Sequence, residues 1–192
     1  MKHQQYADMK TNYSRNSGPR WVAQSITAGL LLASLPIANA TDNRAPEVPT
    51  RIQVADGNKV HFHAFAVGVQ IYVSVQVSVD PPAYAWTLLA PDAVLFDDDG
   101  NVVGSHYGGP TWEGNSGGKV VAARVDGVTV DPTAIPWLLL QKRSVEGSGV
   151  LTHTTFIQRV NTTGGLAPAA PTQAGLEARV PYTADYYFFR AE

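Results

Sequence analysis

The alternation of residues 69–79 is the feature that most limits what this chain can fold into. In the string VQIYVSVQVSV every odd position is Val or Ile, and nearly every even position is polar. Successive side chains of a β-strand point to opposite faces, so this pattern predicts a strand with one apolar and one polar face. We expect an antiparallel sheet in which the β-branched side chains lie on the buried face and Gln, Ser and Tyr lie on the other.

Shorter segments of similar character follow and are separated by turn residues. They cover residues 85–89, 93–96, 102–107, 120–125, 137–140, 150–160 and 182–189. Gly, Asn and Asp between them tolerate the positive φ angles of tight hairpins. No helical pattern of twelve residues occurs. The sequence therefore predicts an all-β fold, a single antiparallel β-sandwich or barrel at residues 54–192, after an extended lead-in at 41–53.

The first 40 residues have the pattern of a signal peptide. Residues 1–20 are polar and basic, residues 21–37 are mostly apolar, and Ala38-Asn39-Ala40 supplies small residues for cleavage. The apolar core is shorter than a membrane span requires and contains Pro36. We expect cleavage after Ala40, a secreted or periplasmic protein, and no transmembrane segment after cleavage.

Charge excludes one class of partner. Four of the 14 basic residues and one of the 16 acidic residues precede residue 41, which leaves 10 and 15 and a net charge of −5. A nucleic-acid-binding domain normally has a basic surface, so we expect no nucleic-acid partner. The chain has no Cys, and a domain of this length has to be stabilised by its core rather than by disulfides.

Six strings occur in a characteristic order along the chain. They are GVQIY at 68–72, APDAVLF at 90–96, GSHYGGPTWE at 104–113, IPWLLL at 135–140, IQRVNT at 157–162 and VPYTADYYF at 180–188. Together they resemble a family of exported bacterial and fungal proteins known as a domain of unknown function, DUF3455. The resemblance implies export and a single domain, and it brings no established activity.

The resemblance has two further implications. Many relatives carry a Cys shortly after the QIY string and another after a later Gly-Gly-x-x-Pro stretch, where this chain has Ser74 and a residue near Thr172. Some fungal relatives carry a malate dehydrogenase label. Hydride transfer from a nicotinamide cofactor uses a Gly-rich turn between a parallel strand and a helix. This sequence shows neither feature, so we expect no such cofactor.

The stretch from His106 to Glu113 is the first candidate for a ligand site. It combines an imidazole, Tyr107, Trp112 and a carboxylate with the turn residues Gly-Gly-Pro. Aromatic faces stack on sugars or flat ligands, while His and Glu supply hydrogen bonds or proton transfer. An alternative is a structural turn with Trp112 in the core. Weaker candidates for the same pocket are Arg159, Tyr182, Asp185 and Tyr186, although Arg159 and Asp185 would also suit an ion pair between neighbouring strands.

His61 and His63 are the candidate metal ligands. One residue separates them, so a strand would place both imidazoles on one face, where they would suit zinc or copper. A third ligand would have to come from His106, His153 or Glu113. The alternative is a pair of hydrogen-bonded histidines on a polar strand face.

Two turn-like strings resemble catalytic or metal-binding motifs. Gly114–Gly118 resembles the nucleophile segment of trypsin-like proteases, and Asp97–Asn101 clusters carboxylates as calcium loops do. A hairpin turn explains each string without further partners, and we favour that interpretation.

Three functions fit these observations. The first is an exported β-domain that binds an unidentified small molecule, glycan or envelope surface. The second is a small hydrolase or metal-dependent enzyme that uses His106 and Glu113. The third is a structural component of the envelope.

Overall fold

The structure, a computed structural model, describes residues 44–192; the predicted signal peptide at 1–40 lies outside the described residues. Eight antiparallel strands form a single sheet, which confirms the all-β fold class. They are β1 (Asn58–Val79), β2 (Pro82–Phe96), β3 (Val102–Tyr107), β4 (Thr111–Gly114), β5 (Lys119–Val128), β6 (Trp137–Glu146), β7 (Phe156–Gly164) and β8 (Glu177–Ala191). Two 3-10 turns, Thr50–Ile52 and Val150–His153, are the only helical segments among the described residues.

The sheet closes on itself as a barrel. Each strand pairs with the next, and β1 pairs with both β2 and β8. Val69, for example, is opposite Asp92 on β2 and opposite Pro181 on β8. Every strand then has two neighbours, so the described sheet has no terminal edge strand, although residues 82–92 of β2 pair with β1 alone. Of the two predicted architectures, the structure has the barrel.

The core of the barrel contains both small and large side chains. Ala64, Ala66, Ala93 and Ala184 are buried on β1, β2 and β8, and they face the large aromatic residues of the same core. Trp112, Tyr186 and Phe188 are the largest of these and pack edge-to-face. The small residues leave room for these rings in an eight-stranded barrel, whose interior is just wide enough for side chains or one small ligand.

The predicted faces of β1 are wrong between residues 69 and 79. Gln70 and Ser74 are each 2% exposed, whereas Val77 is 61% and Val79 79% exposed, and none of the odd-numbered residues in this stretch is buried. The prediction assumed that the most apolar face forms the interior. Here the interior accepts polar side chains instead: Ser74 donates a hydrogen bond to the carbonyl of Gln173 at 2.7 Å.

The connections place the two ends of the barrel in different environments. In this up-and-down order, the β2–β3, β4–β5 and β6–β7 connections share one end, where Leu151 of the second 3-10 turn is buried. The β3–β4, β5–β6 and β7–β8 connections share the opposite end. The last of these, residues 165–176, follows the end of β1 and accepts a hydrogen bond from Trp86 at Ala169.

Between residues 44 and 192, the structure has no helix with the length and hydropathy needed to span a membrane.

Candidate functional site

A cavity of about 510 Å³ occupies the barrel interior at the end of the β3–β4 connection. All eight strands contribute to its wall, which is the expected consequence of a position inside the barrel. One residue from each strand in chain order gives Gln70, Leu88, His106, Trp112, Ala122, Leu138, Arg159 and Tyr186. This volume lies within the range of sites for small molecules, and the mouth of a β-barrel is a common location for them.

The β3–β4 hairpin builds one wall of the cavity. His106 and Trp112 are directly opposite on the two strands, so their side chains lie on the same face. Their rings stack with centroids 4.1 Å apart and planes 11° from parallel. The turn between them depends on Gly109, whose φ of 120° is unfavourable for any residue with a Cβ. The local sequence therefore positions this aromatic pair.

His106 is neutral at physiological pH. Burial and, to a smaller extent, the nearby Arg159 guanidinium lower the pKa of its imidazole to about 3, although the hydrogen bond to the Thr111 carbonyl opposes them. Nδ1 lies 2.8 Å from that carbonyl oxygen, to which it donates its proton. Nε2 then has no proton and is a hydrogen-bond acceptor.

Three residues in the cavity wall carry buried polar atoms without hydrogen-bond partners in the described chain. They are Gln70 at Nε2, Trp112 at Nε1 and Tyr186 at its hydroxyl. A buried donor without a partner costs about 1–3 kcal/mol, and native proteins contain few such groups. Their concentration in one cavity indicates a place where a ligand or water supplies the missing acceptors.

Two tyrosines beside the cavity are also neutral. Burial raises the pKa of both Tyr182 and Tyr186. The two hydroxyls influence each other, but neither makes a hydrogen bond of good geometry within the described residues. Both groups are therefore available as phenol donors rather than phenolates.

Arg159 brings a positive charge into the wall. It is opposite Tyr186 on β8, and its guanidinium donates from Nε and Nη2 to the Pro136 carbonyl at 3.2 and 2.8 Å. Arg124 and Arg143 line the same cavity and are exposed, so the cavity reaches solvent beside them. No Asp or Glu belongs to its wall.

The structure separates Tyr107 and Glu113 from His106 and Trp112. Side chains alternate along the hairpin, so the first pair lies on its outer face, where the Tyr107 hydroxyl donates to Glu113 Oε2 at 2.6 Å. The carboxylate is exposed and His106 is buried. The structure thus does not bring together the acid and the imidazole of the predicted enzyme site.

Asp185 also lies outside the barrel, so the predicted ion pair between Arg159 and Asp185 does not form. Asp185 accepts a hydrogen bond from Asn161 at 2.7 Å and contacts His63 Nε2 at 3.3 Å. His63 Nδ1 contacts Asp98 at 2.9 Å. Burial lowers the pKa of His63, but the hydrogen bonds to the two carboxylates outweigh it and raise the pKa overall.

His61 and His63 have different partners. His61 Nε2 lies 3.4 Å from Thr154 Oγ1, and burial lowers the pKa of His61 to about 4, with smaller contributions from Arg190 and His153. Among residues 44–192, no group of three or more His, Asp or Glu side chains is arranged to hold a metal ion. Within this range the structure therefore provides no third ligand for a metal ion at His61 and His63.

Both motif-like strings form turns. Asp97 Oδ1 accepts hydrogen bonds from the backbone of Asp99 and Asn101 in the β2–β3 turn. Gly114 and Gly118 close the β4–β5 turn through a backbone hydrogen bond of 2.9 Å. No hydrogen bond within the described residues joins Ser116 to a histidine. The hairpin interpretation accounts for the geometry of both.

Sequence reasoning missed Gln70, Arg124 and Arg143. Gln70 was assigned to the wrong face of β1. The two arginines had no signal in the sequence, because their position depends on how β5 and β6 close around the cavity. The carbonyl that accepts the hydrogen bonds of Arg159 belongs to Pro136 in the β5–β6 connection. Since Arg159 is on β7, no local sequence pattern predicts this contact.

Comparison with known proteins gives a match to a protein family, and its range covers the barrel. No match was found among curated proteins or among solved structures. The family described as "Protein of unknown function (DUF3455)" matches residues 55–190, a range that contains all eight strands apart from the last residue of β8. The chain is therefore a member of the DUF3455 family.

Proposed function

We propose that this protein is an exported binding protein that holds a small molecule inside its β-barrel. The observation that carries the proposal is the set of partnerless polar atoms, on Gln70, Trp112 and Tyr186, in a cavity whose wall is mostly apolar. Binding sites of this kind combine apolar contact area with a few polar groups that orient the ligand. A purely structural barrel would gain stability by filling this space with apolar side chains.

The electrostatics favour binding over hydrolysis by His106. A general base needs access to the proton it removes and a pKa near the working pH. The pKa of about 3 makes His106 a weak base, and Thr111 occupies its other nitrogen. Glu113 is on the outer face of the hairpin. Neutral His106 is better suited to accept a hydrogen bond and to support Trp112.

The test uses N-phenyl-1-naphthylamine, a neutral apolar fluorophore, with the protein from Thr41 onward. We expect saturable one-to-one binding that perturbs the tryptophan fluorescence of the protein. Ala123→Trp places a large side chain in the cavity wall and is expected to abolish binding. Ala85→Trp is the matched control, because Ala85 is a half-buried strand alanine outside this cavity.

The outcome separates a binding cavity from adventitious surface binding. If both tryptophan variants retain the fold by circular dichroism and only Ala123→Trp loses the probe, the ligand occupies the barrel. Equal binding by both variants, or no saturable binding by the original protein, contradicts the proposal.

Export is tested separately by sequencing the N-terminus of the protein recovered from the periplasm or medium of a bacterial host. Cleavage by signal peptidase predicts a first residue of Thr41. Retention of the unprocessed chain in the cytoplasm contradicts export.

A further inference from the structure

We infer that the ligand is an organic anion, a carboxylate or a phosphate ester, with an apolar body. This inference rests on the proposed function and adds the chemical class of the ligand. It is carried by the juxtaposition of three arginines, several partnerless donors and apolar walls within one cavity.

The charge of the cavity wall differs in sign from the charge of the domain as a whole. From residue 41 onward the chain has more acidic than basic residues, 15 against 10. Even so, the charged residues of the cavity wall are all basic: Arg124, Arg143 and Arg159. In the described chain none of the three has a carboxylate partner within 4 Å. A cavity of one charge sign selects ligands of the opposite sign.

The cavity wall also contains hydrogen-bond donors that suit an anion. The amide Nε2 of Gln70 and the indole Nε1 of Trp112 can only donate, and both lack an acceptor among the described residues. The Arg159 guanidinium, which lines the cavity, donates from Nε and Nη2 to the Pro136 carbonyl and also lies beside the Tyr186 hydroxyl. Carboxylate and phosphate oxygens are acceptors with several lone pairs, and hydrogen bonds to ionised groups are the stronger ones.

The apolar walls define the rest of the ligand. Leu88, Ile135, Leu138 and Leu140 line the cavity together with the Trp112 ring. A small inorganic anion would leave this apolar surface in contact with water. An anion that carries an alkyl or aryl group would cover the surface and gain hydrophobic free energy in proportion to the area buried.

The experiment measures displacement of N-phenyl-1-naphthylamine by four molecules with the same ten-carbon chain. They are decanoate, decyl phosphate, decanol and decyltrimethylammonium. We expect the two anions to displace the probe at concentrations about tenfold below that of decanol, which corresponds to about 1.4 kcal/mol. The cation is expected to be the weakest. Comparison of decanoate with decyl phosphate then identifies the preferred anionic group.

Charge variants show whether the cavity arginines produce this preference. Arg143→Gln removes an exposed charge from the cavity mouth and is expected to weaken both anions by about threefold, with no change for decanol. Lys142→Gln removes a charge of the same sign one position away, at a residue outside the cavity wall, and is expected to leave all four affinities unchanged.

Equal displacement by anions and decanol, or an equal effect of the two charge variants, overturns the anion inference and leaves the binding cavity intact. Failure of the probe itself to bind refutes the proposed function. A salt titration provides a second measurement, because the anion preference should decrease as ionic strength rises.

Discussion

Replacement of His106 by phenylalanine tests the electrostatics of the barrel interior. Phe keeps a flat ring against Trp112 but cannot titrate, and it removes the hydrogen bond to the Thr111 carbonyl. The lost bond lowers stability by a similar amount at all pH values, whereas the loss of titration changes only how stability depends on pH. These two effects can therefore be separated by measurement at several pH values.

The magnitude follows from the two pKa values. Burial lowers the pKa of His106 from 6.5 to about 3. At a pH between these two values the His106 imidazole is therefore protonated in the unfolded chain and neutral in the folded chain. Stability therefore falls as pH decreases below 6.5. Each pH unit corresponds to 1.36 kcal/mol. At about pH 4.5 the cost of this one group is about 2.7 kcal/mol, and at about pH 7 it is close to zero.

The assay is urea denaturation of the protein from Thr41 onward, with free energies of unfolding at pH 7.0 and about 4.5. We expect the wild-type protein to lose roughly 2.5 kcal/mol more than His106→Phe over this interval. His106→Gln, which keeps a donor for the Thr111 carbonyl, should have the same reduced pH dependence. Parallel losses in all three proteins would refute a buried, neutral His106.

Three further substitutions have expected outcomes. Trp112→Ala removes a fully buried ring and should lower the free energy of unfolding by about 3–5 kcal/mol in the same assay. The hydrogen bonds of His63 to Asp185 and Asp98 raise its pKa against the effect of burial, so its stabilising contribution is complete below pH 6.5 and is lost as pH rises through the folded pKa. His63→Gln should therefore be destabilising at about pH 5.5 and nearly neutral at about pH 9 in denaturation midpoints. Ser74→Ala removes the hydrogen bond that Ser74 Oγ donates to the Gln173 carbonyl and the one that it accepts from the Leu176 N–H. It should cost about 1–3 kcal/mol, with proteolysis of the 165–176 connection as a second readout.

The sequence predicts the strand content of this protein well because the relevant signals are local. Alternation within β1, and Gly-containing turns such as Gly117–Gly118, depend on residues close together in the chain. The barrel itself depends on pairing between β1 and β8, which are separated by most of the domain. A sandwich and a barrel have the same local signals, so only the structure distinguishes them.

The assignment of faces on β1 failed for a physical reason. Counting apolar side chains predicts the interior only where the interior is an apolar core. Ala64 and Ala66 face such a core, but further along the strand Gln70 and Tyr72 face the cavity. Where a barrel contains a cavity, polar side chains can point inward, and β-branched residues remain favourable on the outer face because they suit extended backbone.

The candidate site was predicted in part. His106 and Trp112 come together through a three-residue connection, residues 108–110, so a local pattern was sufficient to pair them. Tyr107 and Glu113 belong to the same string but to the opposite face, a distinction that follows from the register of the hairpin. Arg159 joins the site only because β7 pairs with β8 and faces the same interior.

The central claim is that the polar face of β1 points into the barrel, and single cysteines test it directly because the chain contains no Cys. Gln70→Cys and Val67→Cys lie on the same strand, with the native residues 2% and 45% exposed. Labelling with a bulky fluorescein maleimide should modify Val67→Cys rapidly in the folded protein and Gln70→Cys only after unfolding. Rapid labelling at residue 70 together with protection at residue 67 would contradict the account.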